Sequence, residues 1–311
     1  MLFRSVAGHH IWSRTFGDGP QGLAFLADMA VDAVGDVLVT GDFSGVVDFG
    51  GGPVQSIDDG YSAFVARYDS QGQLVWIRNY VNGLMWTSRL AVDGAGKAIV
   101  TGYFRDPVDL GGATLTPLGV NQDSTFVVAL DALGNPLWSR VLDAGQSAPV
   151  PAVNGAGHVI LAGNPGYATP IDLGGGPLNV PPRAAYLGEL DGAGAHVWSR
   201  TFPLWQVARV TLDASGDIFL AGLDPAVAPL TYASVVEVAR LDPVGNPLFA
   251  HNFGASISNM SVVPVSLAAD SGGDMLVSGA FFDANEVVAD GQIASVGALS
   301  ATLTKLAPAC F

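Results

Sequence analysis

The chain has 311 residues and a formal net charge of −15, and it is 49% hydrophobic but only 13% charged. The apolar fraction excludes a disordered chain, and the negative charge argues against nucleic acid and anionic membrane surfaces, whose phosphates would repel it. With Cys310 as its single cysteine, the chain has neither an internal disulfide nor a cysteine metal cluster, so stability comes from packing.

Met1-Leu2-Phe3-Arg4-Ser5 lacks the apolar core of a signal peptide, and no apolar run approaches the length of a membrane helix. Secretion by that route is therefore not expected unless the chain is a mature or trimmed form. Residues 1–8 read as a tail. Residues 9–16, His-His-Ile-Trp-Ser-Arg-Thr-Phe, read as a short strand with no partner before it.

Val31-Asp32-Ala33-Val34-Gly35-Asp36-Val37-Leu38-Val39-Thr40-Gly41 then reads as strand, tight Asp-x-x-Gly turn, strand. The phrase returns at Val92 to Gly102, Val153 to Gly163, Leu212 to Gly222 and Ala269 to Gly279. Its turn glycines, Gly35, Gly96, Gly157, Gly216 and Gly273, are spaced by 61, 61, 59 and 57 residues. A fixed period of that size means one supersecondary unit used five times. Between these phrases lies a second hairpin, seen in Phe64 to Arg78 around Gly72 and again around Gly134, Gly194 and Gly245.

Each repeat thus has four strands, a to d: a and b flank the first turn, c and d the second. Their near-continuous apolar runs fit small antiparallel sheets covered on both faces. The fold expected is an all-β, five-bladed β-propeller of four-stranded antiparallel blades, in one domain spanning 1–311. The blades fall at about 27–80, 88–142, 149–202, 206–253 and 264–307. Since the chain stops after the c strand at Ser300 to Leu306, residues 9–16 are expected to close the last blade in a 3+1 arrangement.

Trp12, Trp76, Trp138, Trp198 and Phe249 recur at one site on every d strand, which assigns them to packing between blades rather than to sugar stacking. Two residues on come Arg14, Arg78, Arg140, Arg200 and His251, each expected to meet a carboxylate of the adjacent blade. Asp32, Asp93, Asn154, Asp213 and Asp270 read as turn-makers.

Val-x-x-Asp-x-x-Gly, the loop Val47-Asp48-Phe49-Gly50-Gly51-Gly52 and Phe64-Val65-Ala66-Arg67-Tyr68-Asp69 with Trp76 together resemble the bacterial SBBP-repeat proteins. The loop phrase recurs at Val108 to Gly112 and Ile171 to Gly176, is absent from the fourth copy and is faint at Val288 to Gly291. The resemblance covers nearly the whole chain. It implies a propeller and an extracellular or cell-envelope location, and carries no activity or catalytic residue.

The b–c and d–a loops, at the opposite end of the sheets from the turns, are long and differ between copies. Variable loops on a rigid scaffold are where binding residues gather. Their aromatics Tyr61, Trp86, Tyr103, Tyr167, Trp205 and Tyr232 are not repeat-encoded and are the candidate ligand-binding residues. The same end gathers Asp18, Asp42, Asp48, Asp58, Asp59, Asp106, Asp109, Asp123, Asp143, Asp172, Asp224, Asp283, Glu286 and Asp290 against Arg105 and Arg183. An acidic face of this kind could hold calcium or a glycan, yet no loop carries the ladder of a calcium loop, and no cofactor or metal site is assigned. The scattered histidines His9, His10, His158, His196 and His251 and the lack of a nucleophile motif assign no catalytic residue. The function expected is a monomeric, non-catalytic binding or assembly module for a glycan or protein. A glycan-processing hydrolase using loop carboxylates and a purely structural surface protein are the alternatives.

Overall fold

The repeated phrase folds as its chemistry dictates. The turn Asp or Asn accepts two backbone N–H bonds through one side-chain oxygen. Asp32 Oδ1 takes those of Val34 and Asp36 at 3.0 and 2.9 Å, and Asn154 Oδ1 takes those of Ala156 and His158 at 3.0 and 2.9 Å. Asp93 and Asp213 do the same. The glycine closing each turn lies in the left-handed region, with φ of 87° at Gly35 and 79° at Gly157, which a side chain resists. The second turn of each repeat uses the same device at Asp69, Asp131, Asp191 and Asp242. Asp270 and Gly273 lie outside the described residues.

The computed structural model describes residues 2–4, 9–17, 22–57, 60–81, 83–112, 114–119, 123–144, 148–165, 170–182, 184–204, 206–223, 236–253, 263–269, 274–281, 285–288, 291–294 and 300–306. Its strands form antiparallel meanders in the order a-b-c-d. Sheet 1 comprises Gly22–Val31, Val37–Asp48, Ser62–Tyr68 and Leu74–Tyr80, and sheet 2 Met85–Val92, Ala98–Phe104, Ser124–Leu130 and Pro136–Ala144. Sheet 3 comprises Val150–Val153, Val159–Gly163, Ala185–Leu190 and His196–Phe202, and sheet 4 Gln206–Leu212, Ile218–Leu223, Val236–Leu241 and Pro247–Phe253. Sheet 5 pairs Val263–Ala269, Met275–Phe281 and Ser300–Leu306. The chain is therefore all-β, with several four-stranded antiparallel sheets, consistent with a β-propeller. His10–Ser13 pairs with Leu2–Arg4.

The Asp-Φ-Gly loops are small structures rather than open loops. Pro53–Gln55 folds back on the end of strand b of sheet 1, and Val108–Asp109 pairs with Thr114–Leu115. Asp48 Oδ1 accepts the Gly50 and Gly52 N–H groups, and Asp172 Oδ1 those of Gly174 and Gly176. The intervening Phe49, Leu110 and Leu173 turn back into the core and are buried.

Contacts divide the chain into two compact units. One holds residues 1–151, 166–168 and 192–194, and the other 152–165, 169–191 and 195–311. In the first, one core lies between sheets 1 and 2, built on Leu38, Val65, Leu90, Val100, Phe104 and Phe126. A second joins Trp12 to Val37, Phe43, Phe49, Phe64 and Tyr68. In the second unit, Phe219, Ala221 and Val238 of sheet 4 pack on Leu267, Met275 and Val277 of sheet 5.

The recurring aromatics lie flat on the turn glycine of a neighbouring sheet. Trp12 covers Gly72, Trp76 covers Gly134, Trp138 covers Gly194 and Trp198 covers Gly245. The indole N–H of Trp12, Trp76 and Trp138 donates to a carbonyl of the same turn, at Ser70, Ala132 and Gly192. Of the arginines two residues on, Arg78 and Arg200 act through their charge on Asp131 and Asp242 of the neighbouring turn, helping to lower those carboxyls, while their direct bonds go to other groups. Arg14 and Arg78 donate through Nε to the carbonyls of Gly72 and Gly134, and Arg78 and Arg200 reach the amide oxygens of Asn135 and Asn246. The turn carboxylate holds the backbone of its own turn, so the arginine bonds the turn carbonyl and amide beside it and reaches the carboxylate by charge.

A second ionic layer links the a–b turn to strand c within a sheet. Arg67, itself buried, binds Asp32 and Asp36. Arg240 holds the same relation to Asp217. In sheet 3 the polarity is reversed, with His158 Nδ1 2.6 Å from Glu189, whose other oxygen accepts the Trp198 indole N–H.

Gly134 has φ 79°, and a Cβ there would lie 2.8 Å from the Trp76 ring. Gly134→Ala should therefore lose about 1–3 kcal/mol, from backbone strain and displaced aromatic packing. Gly112→Ala, at a position with open space and no positive φ, should stay within about 0.5 kcal/mol of the parent. Urea denaturation of both variants checks this; equal effects would contradict the packing account.

Candidate functional site

At the loop end of the sheets, strand a carries an aromatic residue seven positions before the turn Asp: Phe25 in sheet 1 and Trp86 in sheet 2. Each faces a strand b partner in direct register, Phe25 with Asp42 and Trp86 with Tyr103. Cross-strand partners share a face of the sheet. Trp86 and Tyr103 accordingly stack, with centroids 5.3 Å apart and planes 26° apart. Phe25 leans on Tyr61 with centroids 6.0 Å apart.

Asp42 joins the two pairs. A β-bulge interrupts strand a of sheet 2 between Thr87 and Arg89, and the N–H just before the bulge bonds out of its own sheet. That Thr87 N–H donates to Asp42 Oδ1 at 3.2 Å, and the Thr87 hydroxyl donates to the Gly41 carbonyl at 2.9 Å. Sheets 3 and 4 make the same joint with a neutral residue: Asn164 Oδ1 accepts the Val207 N–H at 2.8 Å, again just before a bulge. The asparagine also donates to the carbonyls of Ala184 and Leu204. The joint therefore needs an acceptor oxygen and does not need a charge.

In sheet 1 the acceptor is nonetheless a carboxyl, and burial raises its pKa from 3.8 to about 7, against a smaller lowering by the Thr87 N–H. Near neutrality it is thus poised between a hydrogen-bond donor and an anion. Next to it, burial and the charges of Asp42 and Asp123 raise the Tyr103 hydroxyl above its ordinary pKa. Asp123 is buried and held by Arg105 through two bonds, Nε–Oδ1 at 2.8 Å and Nη2–Oδ2 at 3.2 Å.

Of the six aromatics singled out in the sequence, the structure brings Trp86 and Tyr103 together and places Tyr61 against Phe25. Tyr167, Trp205 and Tyr232 lie outside the described residues. Phe25 was missed because it sits inside an apolar strand. The signal that finds it is its register, the same seven-residue offset as Trp86. Most described acidic side chains of this end are engaged by the protein itself. Asp48, Asp109 and Asp172 cap glycine turns, and Asp106 accepts the Leu84 N–H. Among the described residues no three His, Cys, Asp or Glu side chains gather as a metal site would require. Asp18, Asp58, Asp59, Arg183, Asp224, Asp283 and Asp290 lie outside the described residues.

No family model and no curated protein sequence matches the chain. The SBBP resemblance thus rests on the repeat phrases alone. Among solved structures, a Bacteroides caccae protein of unknown function aligns with 79% of this chain and 69% of its own, at 13% identity and a TM-score of 0.41. The Xanthomonas campestris gluconolactonase XC5397 aligns over 82% and 69%, at 16% identity and a TM-score of 0.42. The Dos1 propeller aligns over 86% and 71%, at 11% identity and a TM-score of 0.39. At these values no activity or residue role is transferred.

The Asp42 carboxyl gives a signed pH prediction. Its folded pKa lies above its unfolded value, so between about pH 4 and 7 only the folded form keeps the proton. Stability should fall as pH rises through that window and level off above it. Asp42→Asn, copying Asn164, should raise stability at pH 8 by roughly 1–3 kcal/mol and change it little at pH 3.5. Chemical denaturation at both pH values checks this; the same difference at both would show that desolvation of Asp42 is not the cause.

Proposed function

We propose that the chain is a non-catalytic binding module that takes its ligand at the loop end of its first two sheets, on Trp86, Tyr103 and Asp42. One observation carries this reading. An aromatic stack and a near-neutral carboxyl stand at a joint that sheets 3 and 4 build with an uncharged asparagine. Stacked aromatics present a rigid, amphipathic contact surface at low conformational cost. The partner is a glycan or a protein surface, in keeping with the negative charge of the chain. Glycan-array binding and the shift in melting temperature test the reading, because a ligand of the folded state raises apparent stability. Trp86→Ala and Tyr103→Ala should each weaken binding about tenfold or more while leaving the melt of the free protein within a few degrees. Unaltered affinity in both variants would refute it.

A glycan hydrolase is the second reading. It is favoured by two carboxyls in opposed settings around Tyr103: Asp42 raised by burial and Asp123 held by Arg105. Under this reading Asp42→Asn abolishes turnover, whereas a binding module loses no activity because it has none.

We further propose that the architecture is five sheets closed into a ring, with residues 9–16 serving as the fourth strand of sheet 5. Two observations support closure. Trp12 covers the Gly72 turn as the d-strand tryptophans Trp76 and Trp138 cover theirs, so its strand plays the part of a d strand preceding sheet 1. Strand a of sheet 1 also shows an apolar face to solvent. Met29 is 46% and Val31 52% exposed, although the matching Leu90 of sheet 2 and Leu267 of sheet 5 are 6% and 8% exposed, each against the sheet before it. In sheet 5, Leu276 is only half-buried where the matching Leu38 of sheet 1 is fully buried. Met29→Asp discriminates. In a closed ring it should cost more than about 2 kcal/mol, and a near-neutral effect would mean that this face is open.

A further inference from the structure

Beside Phe25 and Tyr61 lies a cavity of about 290 Å³, lined by Ser44, Gly45, Gln55, Ser56 and Gly60. It is open on one side and is built by the end of strand b, the short Pro53–Gln55 strand and the segment leading into strand c. Gly60 places Tyr61 next to it along the chain, and strand a reaches it through the Leu23–Ser44 and Gly22–Gly45 pairs. The wall is preorganised: Ser56 Oγ accepts the Gly45 N–H at 2.9 Å and donates to the Ile57 carbonyl, and the Ser56 N–H donates to the Gly45 carbonyl. The side chains of Ser44 and Gln55 have no partner in the protein among the described residues, and both residues line the cavity. Phe25 and Tyr61 are 54% and 40% exposed, an aromatic pair that the core does not use.

These features select a ligand class. The volume is at the small end of ligand sites, which run from about 300 to 1,000 Å³, and suits one six-membered ring rather than a chain. Among the described residues the wall offers hydroxyl, amide and peptide groups and no cation, which match hydroxyls and mismatch anions, since these would bury a charge without a counterion. Exposed aromatic rings match the C–H face of a sugar.

We propose that Phe25 and Tyr61, with Ser44 and Gln55, bind one pyranose ring of a neutral saccharide. The proposal rests on the reading of this end as a binding face and names the ligand for a subsite of it. The test is saturation-transfer NMR on the intact chain with methyl glycosides of glucose, galactose, mannose and N-acetylglucosamine, and with methyl glucuronide as the anionic control. At least one neutral glycoside should show transfer to its C–H protons, with the glucuronide about tenfold weaker or more. Tyr61→Ala should weaken it about tenfold or more and Gln55→Ala several-fold, while Tyr61→Phe retains most of it. Tyr61 is exposed, so an unchanged melt of Tyr61→Ala separates lost contact from lost fold. No transfer from any neutral glycoside overturns the proposal, as does transfer that persists in Tyr61→Ala and Gln55→Ala. Should a larger ligand bind through Trp86 and Tyr103 while no glycoside binds here, this subsite is refuted and the binding face stands. Ligand binding indifferent to Tyr61, Gln55, Trp86 and Tyr103 alike refutes both.

Discussion

A tryptophan lying on a left-handed glycine turn of the neighbouring sheet is the contact on which much of the rest depends. The turn must be glycine because its φ is positive and because a side chain there would occupy the space of the indole. The indole must be held at one depth, and its N–H, donated to a carbonyl of the same turn, sets that depth. The arginine two residues on then reaches the next carbonyl of the turn. One turn thereby fixes the end of one sheet against its neighbour at three points, without a charge being buried alone. The opposite end, freed from this duty, carries the strand a bulges, the folded-back hairpins and the Phe25–Tyr61 and Trp86–Tyr103 pairs.

Much of this was legible in the residues. The Asp-x-x-Gly spacing placed both turns of the first four repeats, because a side-chain oxygen accepting two backbone N–H groups and a glycine with positive φ are local requirements. The d-strand aromatics were legible as packing because they recur. The partner of the arginines was not. Same-face spacing points to a neighbour but cannot say that the neighbour's carboxylate is already engaged by its own turn. Asp42 was likewise read only as one acid among many. Its particular position follows from a bulge in another strand, and bulges leave little trace in composition. Phe25 was hidden for a related reason, since an aromatic within an apolar strand looks like core until its register shows it exposed.

Asp42 also shows how a binding site arises on a repeat scaffold without disturbing it. Asn164 shows that an amide suffices for the joint it makes. Replacing the amide oxygen by a carboxyl keeps the bond to the adjacent strand and adds a titrating group between two aromatic pairs. The energetic penalty falls on the protonation equilibrium rather than on the backbone, so the scaffold tolerates it.

The ion pairs between the a–b turn and strand c have a consequence for how five near-copies avoid confusion during folding. Sheets 1 and 4 set an aspartate against an arginine, Asp36 with Arg67 and Asp217 with Arg240, whereas sheet 3 sets His158 against Glu189. A hairpin of sheet 1 that docked on strand c of sheet 3 would bring Asp36 onto Glu189, two like charges in a half-buried setting. The reverse exchange would bring His158 onto Arg67. Sheet 3 thus carries an electrostatic address that differs from those of sheet 1 and of sheet 4, its neighbour along the chain.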